Sequence, residues 1–513
     1  MDSNIRPDLK YIIVQFMFPY KTSFKFDRKS KQALYLQLSN QLIALIKDRK
    51  LVPKTKLPGS RTLSELLNVH RKTVVACYDE LLLQGWVESI PKKGTFVNAS
   101  LPELNQQEFL ENETINSLNS IGFQFYKDRA LERKSLSNED GFMSLNDGVS
   151  DARLTPTQDL ARTYRRICNR KNIYKEMSYG SVFGNEKLRI TLADYLNKTR
   201  GLNICKDHVL ITRGSQMGIY LSSKLLLEKD DTIIVGQTNY TSADVAFSLR
   251  KANLERISVD ENGLVTDEIA QICKKKAIKA VYVTSHHHHP TTVTLSAERR
   301  IHLLNLAKKY NFAIIEDDYD YDFNYKHSPI LPLASHDTNG NVIYIGSVCK
   351  TVAPVFRIGY VIAPTAYVKE AANQRRFIDR QGDALLELTF EDFIKSGDLD
   401  RHIKKVLKVY KARRDLFCKL LIAQFPAVFS FEIPKGGMAV WITLDKKYSW
   451  EKVAEVALKH QLEIGAWQRY DIAKTGHNSI RMGFAMYNEA EIHELINRLS
   501  KTMEVVKNQE KSL

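Results

Sequence analysis

The chain has 513 residues, 43% of them hydrophobic and 26% charged, with 14 prolines and 23 glycines. That balance supplies more than one core and excludes a fibrous or low-complexity chain. No apolar run approaches the roughly 20 residues of a membrane-spanning helix, and six scattered cysteines without a C-x-x-C pair argue against a zinc ribbon or a disulfide framework and fit a reducing cytoplasm. Charge is uneven: residues 1–97 hold 17 Lys+Arg against 8 Asp+Glu, whereas the other 416 hold 58 against 51. A compact basic unit ahead of a near-balanced large one is the footprint of a nucleic-acid-binding module joined to something else.

Residues 1–29 read as an N-terminal extension. From Leu34 the apolar residues Leu34, Leu38, Leu42 and Leu45/Ile46 recur at helical spacing until Pro53 and Leu57-Pro58-Gly59 break the pattern. A short helix follows with Leu63, Leu66 and Leu67 inward. Asn68-Val69-His70 makes a tight turn. The next helix starts near Arg71 and places Val74, Tyr78 and Leu81/Leu82 on one face. Gly85 to Ile90, a turn at Pro91-Lys92-Lys93-Gly94, and Thr95-Phe96-Val97 read as a hairpin. Three helices and a hairpin over residues 30–98 describe a winged helix-turn-helix.

Residues 99–140 are polar and without period, a linker with one candidate strand at Phe123 to Tyr126. Short β-branched runs then appear at His208–Thr212, Thr232–Val235, Leu254–Val259, Ala280–Ser285, Phe312–Asp317, Val342–Val348 and Arg357–Ala363. Helical segments such as Gln216–Leu227 and Ala297–Tyr310 separate most of them. That alternation predicts an α/β domain over residues 141–507, with a mostly parallel seven-stranded sheet in about 141–364. From about 365 to 507, long helices, strands near Gly437–Leu444 and Ile480–Phe484, and a last helix from about Asn488 read as a smaller α+β domain.

Two constellations carry chemistry. In the first, Arg61 opens the supporting helix, and Arg71, Lys72 and Thr73 lie on the first turn of the recognition helix, which enters the major groove. Lys92 lies in the wing turn, and Gly94 lets the wing approach a phosphate or the minor groove. In order and spacing these pieces resemble the GntR-type winged helix. His70 departs from it, standing where that family has a Ser or Thr cap.

In the second, Lys350 lies just past a buried strand, where a lowered pKa suits it to form a Schiff base with an aldehyde. Ser347 and Arg357 flank it with a hydroxyl and a forked cation, a pair suited to a phosphate. Asp317 ends the preceding strand and could reach a pyridinium nitrogen. Singly, each residue has a plain structural reading as a cap, a core side chain or an ion-pair partner. Together they resemble the fold-type-I aminotransferases that use pyridoxal 5′-phosphate (PLP).

That resemblance implies Lys350 as the aldimine lysine, Asp317 as partner of the ring nitrogen, and Tyr319 on the phenolic oxygen. It implies Ser215, Gln216, Ser347 and Arg357 around the phosphate, Tyr240 stacked on the ring, and Arg481 gripping a ligand α-carboxylate. His289 stands before Pro290 where true aminotransferases have an Asn, which leaves that contact to Tyr319. His286-His287-His288-His289 invites a metal reading, but an extended segment points alternate side chains to opposite sides, and no metal is assigned. Ser242 stands where the GABA-responsive relative has an arginine, which argues against GABA.

Both halves together resemble the MocR/GabR group of bacterial transcription regulators. The resemblance implies a cytoplasmic homodimer, head-to-tail, that binds an operator in double-stranded DNA and senses an amine or amino acid by aldimine exchange. An amino acid would be held by Arg481, whereas a simple amine is expected if a protein acid occupies that arginine. A working aminotransferase tethered to DNA, and a sensor of PLP itself, remain the alternatives.

Overall fold

The computed structural model describes residues 18–101, 121–128, 131, 141–325, 330–465 and 467–511. The chain divides into two compact units, Met1–Tyr126 and Lys127–Leu513. The first holds helices α1 (Tyr20–Ser23), α2 (Leu34–Lys47), α3 (Ser60–Leu67) and α4 (Arg71–Leu83), then strands β1 (Val87–Ile90) and β2 (Gly94–Val97). The leucine stripe forms because its spacing matches the helical repeat. Leu38, Leu42 and Ile46 of α2 bury against Leu63 of α3, Val74, Cys77 and Leu81 of α4, and Val87 and Val97 of the hairpin. Tyr20 and Phe24 are buried in the same cluster, so chain ahead of residue 30 contributes to this core.

Two inward assignments fail. Leu66 and Leu82 are exposed, because each short helix buries only the narrow stripe through Leu63 or through Val74 and Leu81. The turn between α3 and α4 holds: Asn68 takes the left-handed conformation, φ 52°. His70 caps α4, its Nδ1 accepting the Lys72 backbone N–H at 3.1 Å. The imidazole thus does the job of the missing hydroxyl.

Most of residues 99–140 lie outside the described residues. Phe123 to Tyr126 is exposed and not a strand.

The second unit begins with β3 (Met143–Leu145) and continues through β4 (Val209–Thr212), β5 (Thr232–Gly236), β6 (Asn253–Ile257), a short hairpin β7–β8 (Val259–Asp260, Gly263–Leu264), β9 (Ala280–Val283), β10 (Ala313–Asp318), β11 (Val342–Ser347) and β12 (Gly359–Ile362). Seven of these form one sheet in the order β4-β12-β11-β10-β9-β5-β6, parallel except for β12. Strands β4, β5, β9 and β12 are buried at every residue. Both faces are covered by helices, which explains why these strands read as continuous apolar runs rather than alternating ones.

The C-terminal part holds the antiparallel strands β13 (Phe429–Ser430), β14 (Ala439–Leu444) and β16 (Ser479–Gly483), with helices Trp450–Lys459 and Glu489–Lys511. Strand β15 (Leu462–Ile464) pairs in parallel with β3, from the start of the unit. The Gly483 amide also donates to Asn146 O at 2.7 Å, fixing the residues after β3 beside β16.

His70→Ala should destabilise the first unit by about 1 kcal/mol, the usual worth of an N-cap. His70→Ser should stay within a few tenths. Thermal unfolding of residues 1–126 within the full chain checks it, and equal destabilisation by both variants would contradict the cap.

Candidate functional site

Parallel strands place their carboxyl ends on one edge of the sheet, and ligands in open α/β sheets bind there. Asp317 lies at the end of β10 and Ser347 at the end of β11, with Lys350 three residues further on. Asp317 is buried. Its Oδ2 accepts the Tyr282 hydroxyl of β9 at 2.8 Å, and its Oδ1 has no hydrogen-bond partner among the described residues. Burial pushes its carboxyl up to about 7, against the Tyr282 bond, with Asp318 and Asp320 adding to the rise. Lys350 Nζ donates to Gly148 O at 2.9 Å. Burial lowers the ammonium below its ordinary value, opposed first by Asp147. Desolvation thus moves the acid and the amine toward their neutral forms.

Beside Lys350 lies a cationic cradle. Gly214, φ 79°, precedes the helix Ser215–Leu226, and a Cβ there would meet Arg357 Nη2 at 2.8 Å, so only glycine leaves the guanidinium its place. Arg357 holds a left-handed backbone, φ 49°, and donates to Arg213 O at 2.7 Å and to Cys349 Sγ at 3.8 Å. Ser347 Oγ donates to Ile358 O at 3.3 Å and accepts the Cys349 amide at 3.1 Å. Ser215 opens the helix, and Gln216 Nε2 donates to Ser242 O at 3.4 Å. A helix N-terminus, three side chains with hydroxyl or amide groups and a guanidinium make an anion site.

On the other side lies Arg481, in the middle of β16 and buried. Its Nη1 donates to Pro290 O at 3.1 Å, its Nη2 approaches the Tyr319 hydroxyl at 3.4 Å, and its Nε lies 3.4 Å from Asp147 Oδ1. Tyr319 in turn donates to His287 O at 3.1 Å. The Tyr240 ring meets His289 edge-on at 5.1 Å, and His289 faces Tyr319 at 6.3 Å.

The four histidines do not alternate in and out. All are buried, and each meets a different group: His286 Nδ1 lies 3.1 Å from Asp318, His287 Nδ1 2.9 Å from Asp320, His288 Nδ1 2.8 Å from Thr291 Oγ1, and His289 Nε2 3.2 Å from Asp147. Burial pushes His288 down to about 3. No group of three or more His, Cys, Asp or Glu converges as a metal set among the described residues.

These residues fit PLP. Asp317 Oδ1 is a buried acceptor awaiting a donor, as a ring N–H would be, and the Gly214–Arg357 cradle suits a phosphate. Lys350 is the amine between them in sequence. Sequence reasoning missed Tyr282, Asp147, Arg469 and Tyr470. Tyr282 lies inside the run Ala280–Ser285 with no local signal of a polar role, and the Asp147 contacts close only across more than 140 residues of chain.

Residues 143–499 match the family described as aminotransferase class I and II. The chain belongs to this family. Residues 34–97 match the bacterial regulatory proteins of the gntR family, so a GntR helix-turn-helix precedes the aminotransferase domain. Among solved structures, the kynurenine aminotransferase of Pyrococcus horikoshii is 27% identical with a TM-score of 0.68, over 74% of this chain and 97% of its own. Other relatives span both domains. A Bacillus subtilis protein described as an uncharacterized HTH-type transcriptional regulator, YisV, is 26% identical over 93% of this chain and 97% of its own. The probable rhizopine catabolism regulatory protein MocR of Rhizobium meliloti is 25% identical over 82% of this chain and 81% of its own. The architecture is that of the MocR-type regulators.

In the GntR domain, Arg61, Arg71, Lys72, Lys92 and Gly94 are exposed, and Thr73 is half-buried. Arg71 Nε approaches Ser60 Oγ at 3.4 Å, linking the first turns of α3 and α4. Lys92, φ 63°, and Gly94, φ 114°, shape the wing turn.

Two outcomes are expected. An acid with a raised folded pKa holds a proton that the unfolded chain has already lost, so Asp317 makes PLP-free stability fall as pH rises from about 4, levelling off above about 7. Asp317→Asn should flatten that part of the profile, measured as the difference in melting temperature between variant and wild type at pH 5 to 8; parallel profiles would contradict the buried acid. Arg71→Ala should weaken operator binding by roughly 1–3 kcal/mol and relax preference at one base pair. Lys72→Ala and Lys92→Ala should instead lower the salt dependence of binding evenly across sequences, read by fluorescence anisotropy.

Proposed function

We propose that this chain is a PLP-binding, DNA-binding transcriptional regulator in which an amine or amino acid arriving at Lys350 is the signal. One observation carries the reading: a GntR domain with its recognition turn exposed shares one chain with an aminotransferase domain that retains the lysine, the acid and the anion cradle. Bound there, PLP supplies an electrophilic carbonyl and an electron-withdrawing ring. Arg357, Ser347, Ser215 and Gln216 would hold its phosphate, and Asp317 would pair with its ring nitrogen. Lys350, kept toward the neutral amine by burial, can take or release a proton at Nζ while Gly148 O orients it. Tyr240, His289 and Tyr319 wall the site and exclude water.

The protein acts in the cytoplasm as a homodimer, arranged head-to-tail, on an operator in double-stranded DNA. Among the described residues no helix is long and apolar enough to cross a membrane. The retained lysine and acid also favour a second reading, a working aminotransferase with a DNA tether, and turnover separates the two.

Borohydride should fix PLP covalently to the peptide containing Lys350, and Lys350→Ala should lose that label while keeping its fold and its affinity for DNA. Amino-group transfer to a keto acid should run far slower than the 1–1000 per second typical of enzymes. Wild-type protein that stays colourless with added PLP would contradict the reading; rapid turnover would favour the enzyme.

A further inference from the structure

Asp147 lies directly against Arg481, the arginine expected to grip a ligand carboxylate. Its carboxylate is met by the Tyr470 hydroxyl at 3.1 Å, His289 Nε2 at 3.2 Å, Arg469 Nη2 at 3.3 Å and Arg481 Nε at 3.4 Å. Burial alone would raise its pKa, but His289, Arg481 and Arg469 outweigh it and hold the carboxyl well below the ordinary range. It is therefore an ionised carboxylate clamped by four donors from three separate segments, Trp467–Tyr470, β16 and the histidine loop. Displacing it would break several charge-assisted contacts at once.

Arg481 already meets a protein group at each of its three nitrogens, with one further N–H on each Nη. Its Nε also donates to Asp147 O at 3.3 Å, its Nη1 holds Pro290 O, and its Nη2 leans on Tyr319. The fork that reads a carboxylate in two places is already divided among three protein groups. The next residue along, Gly148, accepts from Lys350 Nζ, so the resident carboxylate belongs to the same network as the reacting nitrogen. A second carboxylate brought there on the carbon bearing the amine would sit against Asp147, and like charges in a buried site repel strongly. A further free donor lies elsewhere: Arg469 Nε is buried and has no partner among the described residues.

We infer that Asp147 acts as a built-in substitute for a ligand α-carboxylate, so that the site takes primary amines bearing no carboxylate on the amine carbon. Any acceptor the ligand carries would meet Arg469, away from the reacting nitrogen. This rests on the PLP reading proposed above and narrows its ligand class. Asp147 is a specificity-determining residue that acts by filling the grip of Arg481.

The test is an equilibrium titration of the PLP-loaded full chain, following the absorption band of the cofactor, with pairs that differ only in the carboxylate: 2-phenylethylamine and phenylalanine, pentane-1,5-diamine and lysine, ethylamine and alanine. In wild type the amine of each pair should shift the band at a concentration at least about tenfold lower than its amino acid, a difference of about 1.4 kcal/mol. Asp147→Asn, and as a second variant Asp147→Ser, should shrink or reverse that ratio by about tenfold or more, chiefly by strengthening the amino acid. Amino acids favoured in wild type would overturn the inference without any variant. An unchanged ratio in well-folded variants would overturn it too. If the band itself never forms, the PLP reading fails and takes the inference with it; a band that forms and answers to amino acids first sinks the inference alone.

Discussion

Asp317 and Lys350 are an acid and an amine carried out of water at the carboxyl edge of one sheet, and burial opposes the charge of each. The interior around them is built to hold that arrangement. Tyr282 satisfies one oxygen of Asp317 from the neighbouring strand and leaves the other open. Gly148 O accepts from Lys350 Nζ, and the neighbouring Asn146 O accepts the Gly483 amide, which ties the start of the unit to β16. Parallel pairing of β9, β10 and β11 is what brings Tyr282, Asp317 and the Ser347–Lys350 segment to a common rim. A buried acceptor without a donor is expensive, so the same constraint makes the edge receptive to a group that brings a ring N–H and a phosphate.

The smaller unit rests on a different economy. Its core is a narrow stripe, with Leu63, Val74 and Leu81 at its centre, and its recognition turn is kept polar and exposed. An imidazole cap at His70 leaves Lys72 and Arg71 pointing outward from the start of α4. Arg61, Arg71, Lys72 and Lys92 are all exposed, which suits a polyanionic partner.

Much of this was legible beforehand because the signals are local. Continuous β-branched runs alternating with amphipathic segments announce a doubly covered parallel sheet, and the helix Ala297–Tyr310 matches its expected span. The lysine after a strand, with Arg357 seven residues on, is likewise a short-range pattern. What escaped is non-local. Asp147 is one acid before a glycine, and nothing in its neighbourhood tells of Arg469, Tyr470 and Arg481 more than 300 residues away. Tyr282 is indistinguishable from a core aromatic until β9 is seen beside β10. The histidine run failed alternation for a different reason: a turn rather than a strand carries it, so each ring finds its own partner. Leu66 and Leu82 fit the helical period yet lie outside, because the partner helices are too few to cover a wider face.

In the function proposed here the two units communicate, ligand at Lys350 being read as affinity for DNA. The direct measurement is the anisotropy-derived dissociation constant of an operator duplex, selected from a random-sequence pool, for the PLP-loaded chain with and without saturating primary amine. The predicted result is a change of about fivefold or more in wild type, within the usual range of coupling between sites, and none in Lys350→Ala. An operator affinity that ignores the amine in wild type, or that changes equally in both proteins, would contradict it.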